Sequence, residues 1–230
     1  MALTDTKTVS GKPDEANAPS ATSERRRRWV MPGVVAVLSA GGYALVRPHL
    51  IDDTFITLSY ARNLAFHGHW GLIELSTSNT ATSPLSVVVL AAITFVVRNA
   101  VLAAGILYVL SQVAIALAMR RLGALAGFPS WFAPLTVVLL TVNPLLISSI
   151  GLEVQLGAAG VAWLLVAAAE RRPALLGVMT GLLVLIRVDL VLVAVMVFLL
   201  RKRFWVGMGK SVLAALAVSV PWFVFSWVAL

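Results

Sequence analysis

The feature that most constrains this chain is a series of apolar runs separated by short charged breaks. After a polar beginning, the runs occupy 29–46, 85–97, 101–119, 131–147, 152–169, 173–186, 190–200 and 211–230. The breaks after the second run are Arg98-Asn99, Arg120-Arg121, Ser148 to Glu153, Glu170-Arg171-Arg172, Arg187-Val188-Asp189 and Arg201-Lys202-Arg203. About 20 helical residues cross a hydrocarbon layer, and only structures that satisfy their own backbone hydrogen bonds are viable there. The expected fold is therefore all-α, a polytopic transmembrane helical bundle. Of the 230 residues, 60% are apolar and 12% charged, against about 45–50% and about 25% in soluble domains. One globular core of this size cannot hide that excess, so a soluble enzyme is excluded. The chain has no cysteine, which excludes disulfides, thiolate metal sites and cysteine nucleophiles.

The formal charge is +8, from 18 Lys and Arg against 10 Asp and Glu. The basic residues sit in clusters between apolar runs, as in membrane loops, and not along a polar face that would bind nucleic acid. Residues 1–28 read as a disordered, basic-ended tail, and Arg25 to Arg28 hold the start of the first span in the cytoplasm. That span lies too far from the start, and is too long, for a cleaved signal peptide. If every later run crossed, the clusters at 120–121, 171–172 and 201–203 would fall outside. If the 13 residues of 85–97 dip in without crossing, those clusters and Lys210 all face the cytoplasm. The breaks at 48–84, 148–153 and 187–189 then face out. The second arrangement is preferred; a crossing at 85–97 with Arg98 reaching to an interface is the alternative. It puts Asp52, Asp53, Glu74, Glu153 and Asp189 on one face, five of the six acidic residues outside the tail, Glu170 being the exception. The expected organisation is a cytoplasmic tail, 1–28, and a multi-pass cell-membrane region, 29–230, whose first outer loop spans 48–84. Leu230 falls inside an apolar run, so the expectation is a front portion of a longer protein.

The first outer loop carries most of the candidate chemistry. Asp52 and Asp53 follow the first span, where a carboxylate can act as general base or hold a divalent cation. The structural alternative is an N-cap, because Thr54 to Leu64 reads as a helix and Asp53 precedes it. That juxtamembrane helix is amphipathic, with Phe55, Leu58, Arg62 and Ala65 near one face and Ile56, Tyr60, Asn63 and Leu64 toward another. His67-Gly68-His69-Trp70 is a weak metal signal, better read as an interfacial loop with an aromatic anchor. Asn79 to Leu85, with Thr82, Ser83 and Pro84, suits a helix start, and its hydroxyls suit sugar or phosphate. Glu153 stands at a span boundary. Arg187 and Asp189 stand at the tip of a hairpin formed by 173–200. Arg187 is a natural phosphate clamp, or else pairs with Asp189 or Glu153 only to hold the hairpin.

These residues resemble the polytopic glycosyltransferases of the C superfamily (GT-C). The resemblance lies in Asp52-Asp53-Thr54-Phe55-Ile56-Thr57-Leu58-Ser59-Tyr60-Ala61-Arg62-Asn63-Leu64-Ala65 and in Ala81-Thr82-Ser83-Pro84-Leu85. Gly151-Leu152-Glu153 and Leu185-Ile186-Arg187-Val188-Asp189 add weaker similarity. It is strongest toward actinobacterial arabinofuranosyltransferases and mannosyltransferases, and covers roughly 30–230. Val188 stands where the family usually has Pro, and 75–80 lacks the family's Glu-Gly. Members are much longer. The resemblance implies inverting transfer of a sugar from a polyprenyl-phosphate donor to a glycan, lipid or protein acceptor on the outer face. It implies Asp52 as general base, with Asp53 assisting or binding a cation, and Arg62 or Arg187 neutralising the phosphate. Tyr60, Asn63, Thr82 and Ser83 would line the substrate site, with Glu153 and Asp189 ordering it. Two other classes compete. A transporter or flippase-like subunit would use Arg187, Asp189 and Glu153 along a pathway near the midplane. A non-catalytic membrane partner would use none of them.

Overall fold

The computed structural model describes residues 21–73, 77–78, 80–200 and 202–230, with side chains from Val30 onward apart from 202–204. Glu74 and Asn79, and the tail up to residue 20, lie outside the described residues. Two units are present, Met1–Val30 and Met31–Leu230. Within the first, a helix begins at Ala21, ahead of the arginine run. The second unit is described below.

All elements are helical, and no strands pair into a sheet among the described residues. The order is α1 (Ala21–Val46), α2 (Asp52–His67), α3 (Pro84–Val97), α4 (Ala100–Ala126), α5 (Phe132–Thr141), α6 (Pro144–Ser148), α7 (Val154–Ala169), α8 (Pro173–Ile186), α9 (Val191–Leu200) and α10 (Met208–Ala229). Among the described residues, three segments are long and apolar enough to cross a membrane: Val30–His49, Ala100–Ala126 and Trp205–Ala229. The boundaries follow the sequence punctuation. Pro84, Pro144 and Pro173 start helices at the first turn, where a missing N–H costs nothing. The run 131–147 breaks into α5 and α6 because Asn143 caps the second piece, accepting from the Leu145 N–H at 3.0 Å ahead of Pro144.

Side-chain contacts fix the direction of each helix. The Tyr43 hydroxyl, near the end of α1, donates to the Val101 carbonyl at the start of α4 at 2.6 Å. Val35, earlier in α1, packs with Ala116, late in α4, so the two are antiparallel. α7 runs parallel to α4: the Trp163 indole donates to the Ala114 carbonyl, and Arg121 pairs with Glu170 at 2.5 Å. α8 returns beside α7, with Leu183 against Gly160 and Ile186 against Gly157. α10 is parallel to α8 and so close that a Cβ on Gly177 would run into the Ser211 backbone. Small residues at such crossings are how helices approach without a water-driven force.

The second unit thus has two distinct ends. One gathers Arg121, Glu170, Arg172, Pro173, Gly207 and Ser211, tied by the Arg121–Glu170–Arg172 ion pairs and the Ser211 hydroxyl on the Pro173 carbonyl at 2.7 Å. The other gathers the polar segments after α1, before α7 and after α8. α3 keeps both of its ends beside α2: Val87 packs with Tyr60, and the Arg98 guanidinium lies 5.4 Å over the Phe66 ring.

Candidate functional site

The polar end is built around the first turn of α2. Asp52 and Asp53 are the first two helical residues, and both side chains are exposed. The N-cap is Ile51, without a side-chain cap bond, so Asp53 does not cap the helix. Two carboxylates in the first turn instead face the positive end of the helix dipole. Behind them, the buried Thr54 hydroxyl donates to the Ile150 carbonyl at 3.0 Å. Gly151 has φ +95°, and a Cβ there would collide with the Thr54 side chain. The start of α2 is thereby locked onto the loop that ends in Glu153.

Glu153 is 8% exposed. Its Oε1 accepts from Arg187 Nη1 at 3.1 Å. Arg187 ends α8 in extended backbone, φ −157°, and turns its Nε and Nη2 to the Asp189 carboxylate at 3.0 and 3.4 Å. Both structural pairings considered from the sequence are therefore present together. Hydrogen bonds from Arg187, with its charge, hold the exposed Asp189 carboxyl below its usual range. One guanidinium shares two carboxylates, one buried and one exposed. The cluster lies at helix ends, beyond α8 and before α7, and not halfway along a span.

From this cluster an apolar groove of about 460 Å³ follows α7. Ile115 and Met119 of α4, Leu140 of α5 and Gly157, Val161 and Leu165 of α7 line it, and its only charged residues are Glu153 and Arg187. From Val154 to Leu165 it extends about 17 Å at 1.5 Å per helical residue.

The remaining predicted residues separate into two groups. Tyr60 and Asn63 are buried in the loop fold. The Tyr60 hydroxyl meets Ser78 Oγ at 2.6 Å and Thr80 Oγ1 at 2.7 Å, and Asn63 donates to the Gly71 carbonyl at 2.8 Å. Burial pushes the Tyr60 phenol up, but the bonds to Ser78 and Thr80 outweigh it and leave it below the ordinary tyrosine value. Both residues shape the loop. Ser83 is likewise buried, donating to Ser86 Oγ at 2.8 Å. Arg62 and Thr82 are exposed. The buried stripe of α2 is Thr54, Leu58 and Ala61 with Tyr60 and Asn63. Of the two groupings read from the sequence, each contributes to the packing, with Leu58, Tyr60 and Asn63 buried, while Phe55, Ile56 and Arg62 are exposed.

Trp70 also departs from expectation. It is no interfacial anchor: it is 5% exposed, with its ring centroid 5.7 Å from Tyr60 and 4.6 Å from Trp222 of α10. Among the described residues no three His, Asp or Glu gather as a metal cluster. The Thr54–Gly151 lock and the groove were not foreseen; a glycine before Leu-Glu was their one sequence signal.

The fold and site define an all-α helical bundle with apolar helices long enough to cross a membrane and a charged cluster at one end. Comparison with known proteins adds no relative: no protein-family model, no curated protein and no solved structure matches the chain.

Proposed function

We propose that the chain is a membrane glycosyltransferase that uses a polyprenyl-phosphate sugar. The observation that carries this reading is the groove beside α7: apolar along its length, with Arg187 and Glu153 as its only charges. An isoprenoid chain matches the apolar walls and a phosphate matches the guanidinium. The basic end faces the cytoplasm and the polar end faces out, in keeping with the positive-inside rule. α1, α4, α5 with α6, α7, α8, α9 and α10 cross, and α3 lies in the interface beside α2.

In this reading, the Asp52 carboxylate takes the proton of the acceptor hydroxyl. The acceptor oxygen bonds to the anomeric carbon as the bond from that carbon to the phosphate breaks, and the electron pair leaves on the phosphate. Asp53 assists or holds a divalent cation. Arg187 neutralises the leaving phosphate, with Arg62 a second exposed cation on the same end. Asp189 is the exposed partner of Arg187 and yields its place to the phosphate, while buried Glu153 keeps the fork oriented. The acceptor is a glycan, lipid or protein hydroxyl.

The test uses the full chain in membranes with a labelled polyprenyl-phosphate sugar pool. Wild type is expected to bind the lipid donor and transfer the sugar, Arg187→Ala to lose binding, and Asp52→Asn to bind but transfer about 10²–10⁴-fold more slowly. Undiminished transfer by Asp52→Asn would overturn the base assignment, and absence of donor binding by wild type would overturn the reading itself.

A further inference from the structure

The two ends of the second unit carry charge triads of opposite sign. At the polar end one guanidinium, Arg187, is shared by the Glu153 and Asp189 carboxylates. At the basic end one carboxylate, Glu170, is shared by two guanidiniums. Arg121 Nε lies 2.5 Å from its Oε1, and Arg172 Nε lies 3.0 Å from its Oε2. The Glu170 side chain is 11% exposed, but those of Arg121 and Arg172 are 52% and 64% exposed. The nearly buried carboxylate thus holds each cation by its Nε, and much of both guanidiniums stays open to a ligand. One positive charge of the triad is left uncompensated. Arg171 and Lys210 add two exposed cations at the same end.

The turn after α7 is shaped to this arrangement. Arg171 takes left-handed backbone, φ +59°, where glycine is the usual residue after a helix. The Arg172 N–H then returns to the Ala167 carbonyl at 3.0 Å, and its side chain meets Glu170. The triad also sits at the margin of two membrane-length segments. Arg121 stands near the end of Ala100–Ala126, and Trp205–Ala229 begins at this end, with Gly207 against Pro173. Trp131 and Trp205 are exposed there, and indoles favour the headgroup level of a bilayer. A phosphodiester offers two free oxygens that share its negative charge. Two neighbouring guanidiniums match them as N–H donors. The surrounding cations repel the ammonium of a zwitterionic headgroup and favour a headgroup of net negative charge.

We propose that Arg121 and Arg172 bind the phosphate of an anionic phospholipid headgroup, with Glu170 as the positioning residue. The site does not rest on the transfer reaction proposed above.

The test is native mass spectrometry on the full chain in detergent, titrated with phosphatidylglycerol and, separately, phosphatidylcholine. Wild type is expected to bind phosphatidylglycerol about ten-fold more tightly. Inorganic phosphate, added at constant ionic strength, is expected to leave the lipid in place. Glu170→Gln separates a built site from general attraction, because it makes this end more positive while releasing both guanidiniums. General attraction predicts tighter binding of phosphatidylglycerol; the positioned pair predicts binding about ten-fold weaker. Arg172→Lys keeps the charge but loses the planar fork, and should weaken binding similarly. Arg47→Lys, exposed at the other end, should leave binding unchanged. If Glu170→Gln does not fold, Arg172→Lys decides, because that side chain is mostly exposed. Equal affinity for the two lipids overturns the proposal, as does displacement by inorganic phosphate. Tighter binding by Glu170→Gln, unchanged binding by Arg172→Lys, or an equal loss in Arg47→Lys would do the same.

Discussion

The lock between α2 and the loop before α7 can be tested by Gly151→Ala. At φ +95° a side chain is strained by about 1–3 kcal/mol. The added methyl also enters the Thr54 side chain, with the hydroxyl oxygen at 3.1 Å and Cβ at 3.2 Å in addition to the closer methyl. Overpacking of this kind costs about 1–3 kcal/mol. The total destabilisation is therefore about 2–6 kcal/mol, from the sum of those two ranges. Thr54→Ser separates the components. It removes the colliding methyl and keeps the hydroxyl that donates to Ile150. In the double variant the steric part should fall and the backbone part remain, giving a coupling of about 1–2 kcal/mol. The assay is denaturant unfolding of all four proteins in the same detergent, followed by tryptophan fluorescence. Wild-type stability of Gly151→Ala, or strict additivity of the two substitutions, would refute the reasoning.

Three further outcomes are expected. Tyr60→Phe should cost about 1–2 kcal/mol in the same assay, because it leaves Ser78 and Thr80 without the phenol they share. Gly177→Ala should cost about 1–3 kcal/mol, because the neighbour its methyl meets is the Ser211 backbone and not a flexible side chain; unchanged unfolding would mean that α8 and α10 are further apart. For Asp189, the folded carboxyl lies below its unfolded value of 3.8. Its pair with Arg187 therefore contributes fully above that pH and is lost as pH falls through the folded value. The stability gap between wild type and Asp189→Asn should stay constant from pH 7 to about 5 and close on further acidification below 3.8; a gap that closes already at pH 6 would contradict the pairing.

Much of the helix layout was legible because apolar length and proline placement act locally. Pro84 and Pro173 begin helices where they precede an apolar run, whereas Pro144 divides a run that the sequence presents as one. The hairpin tip at Arg187 and its pairing with Glu153 followed from the cost of leaving a charge alone near apolar helices. The roles of Tyr60, Asn63 and Ser83 were not legible. Their side chains carry the same donors whether they face a substrate or a loop carbonyl, and only the folded loop directs them to Ser78, Thr80, Gly71 and Ser86.

The sequence by itself determined the all-α class, the apolar helices and the segregation of acidic and basic breaks, because composition, hydropathy and charge are properties of residues in order. Tertiary structure alone decided which breaks meet. Thr54 lies 96 residues from Ile150, and Arg187 lies 34 from Glu153. The groove along α7, the Thr54–Gly151 lock and the Trp70–Trp222 contact each need surfaces from segments distant in the chain. Only the packing of small residues at helix crossings fixes which surfaces those are.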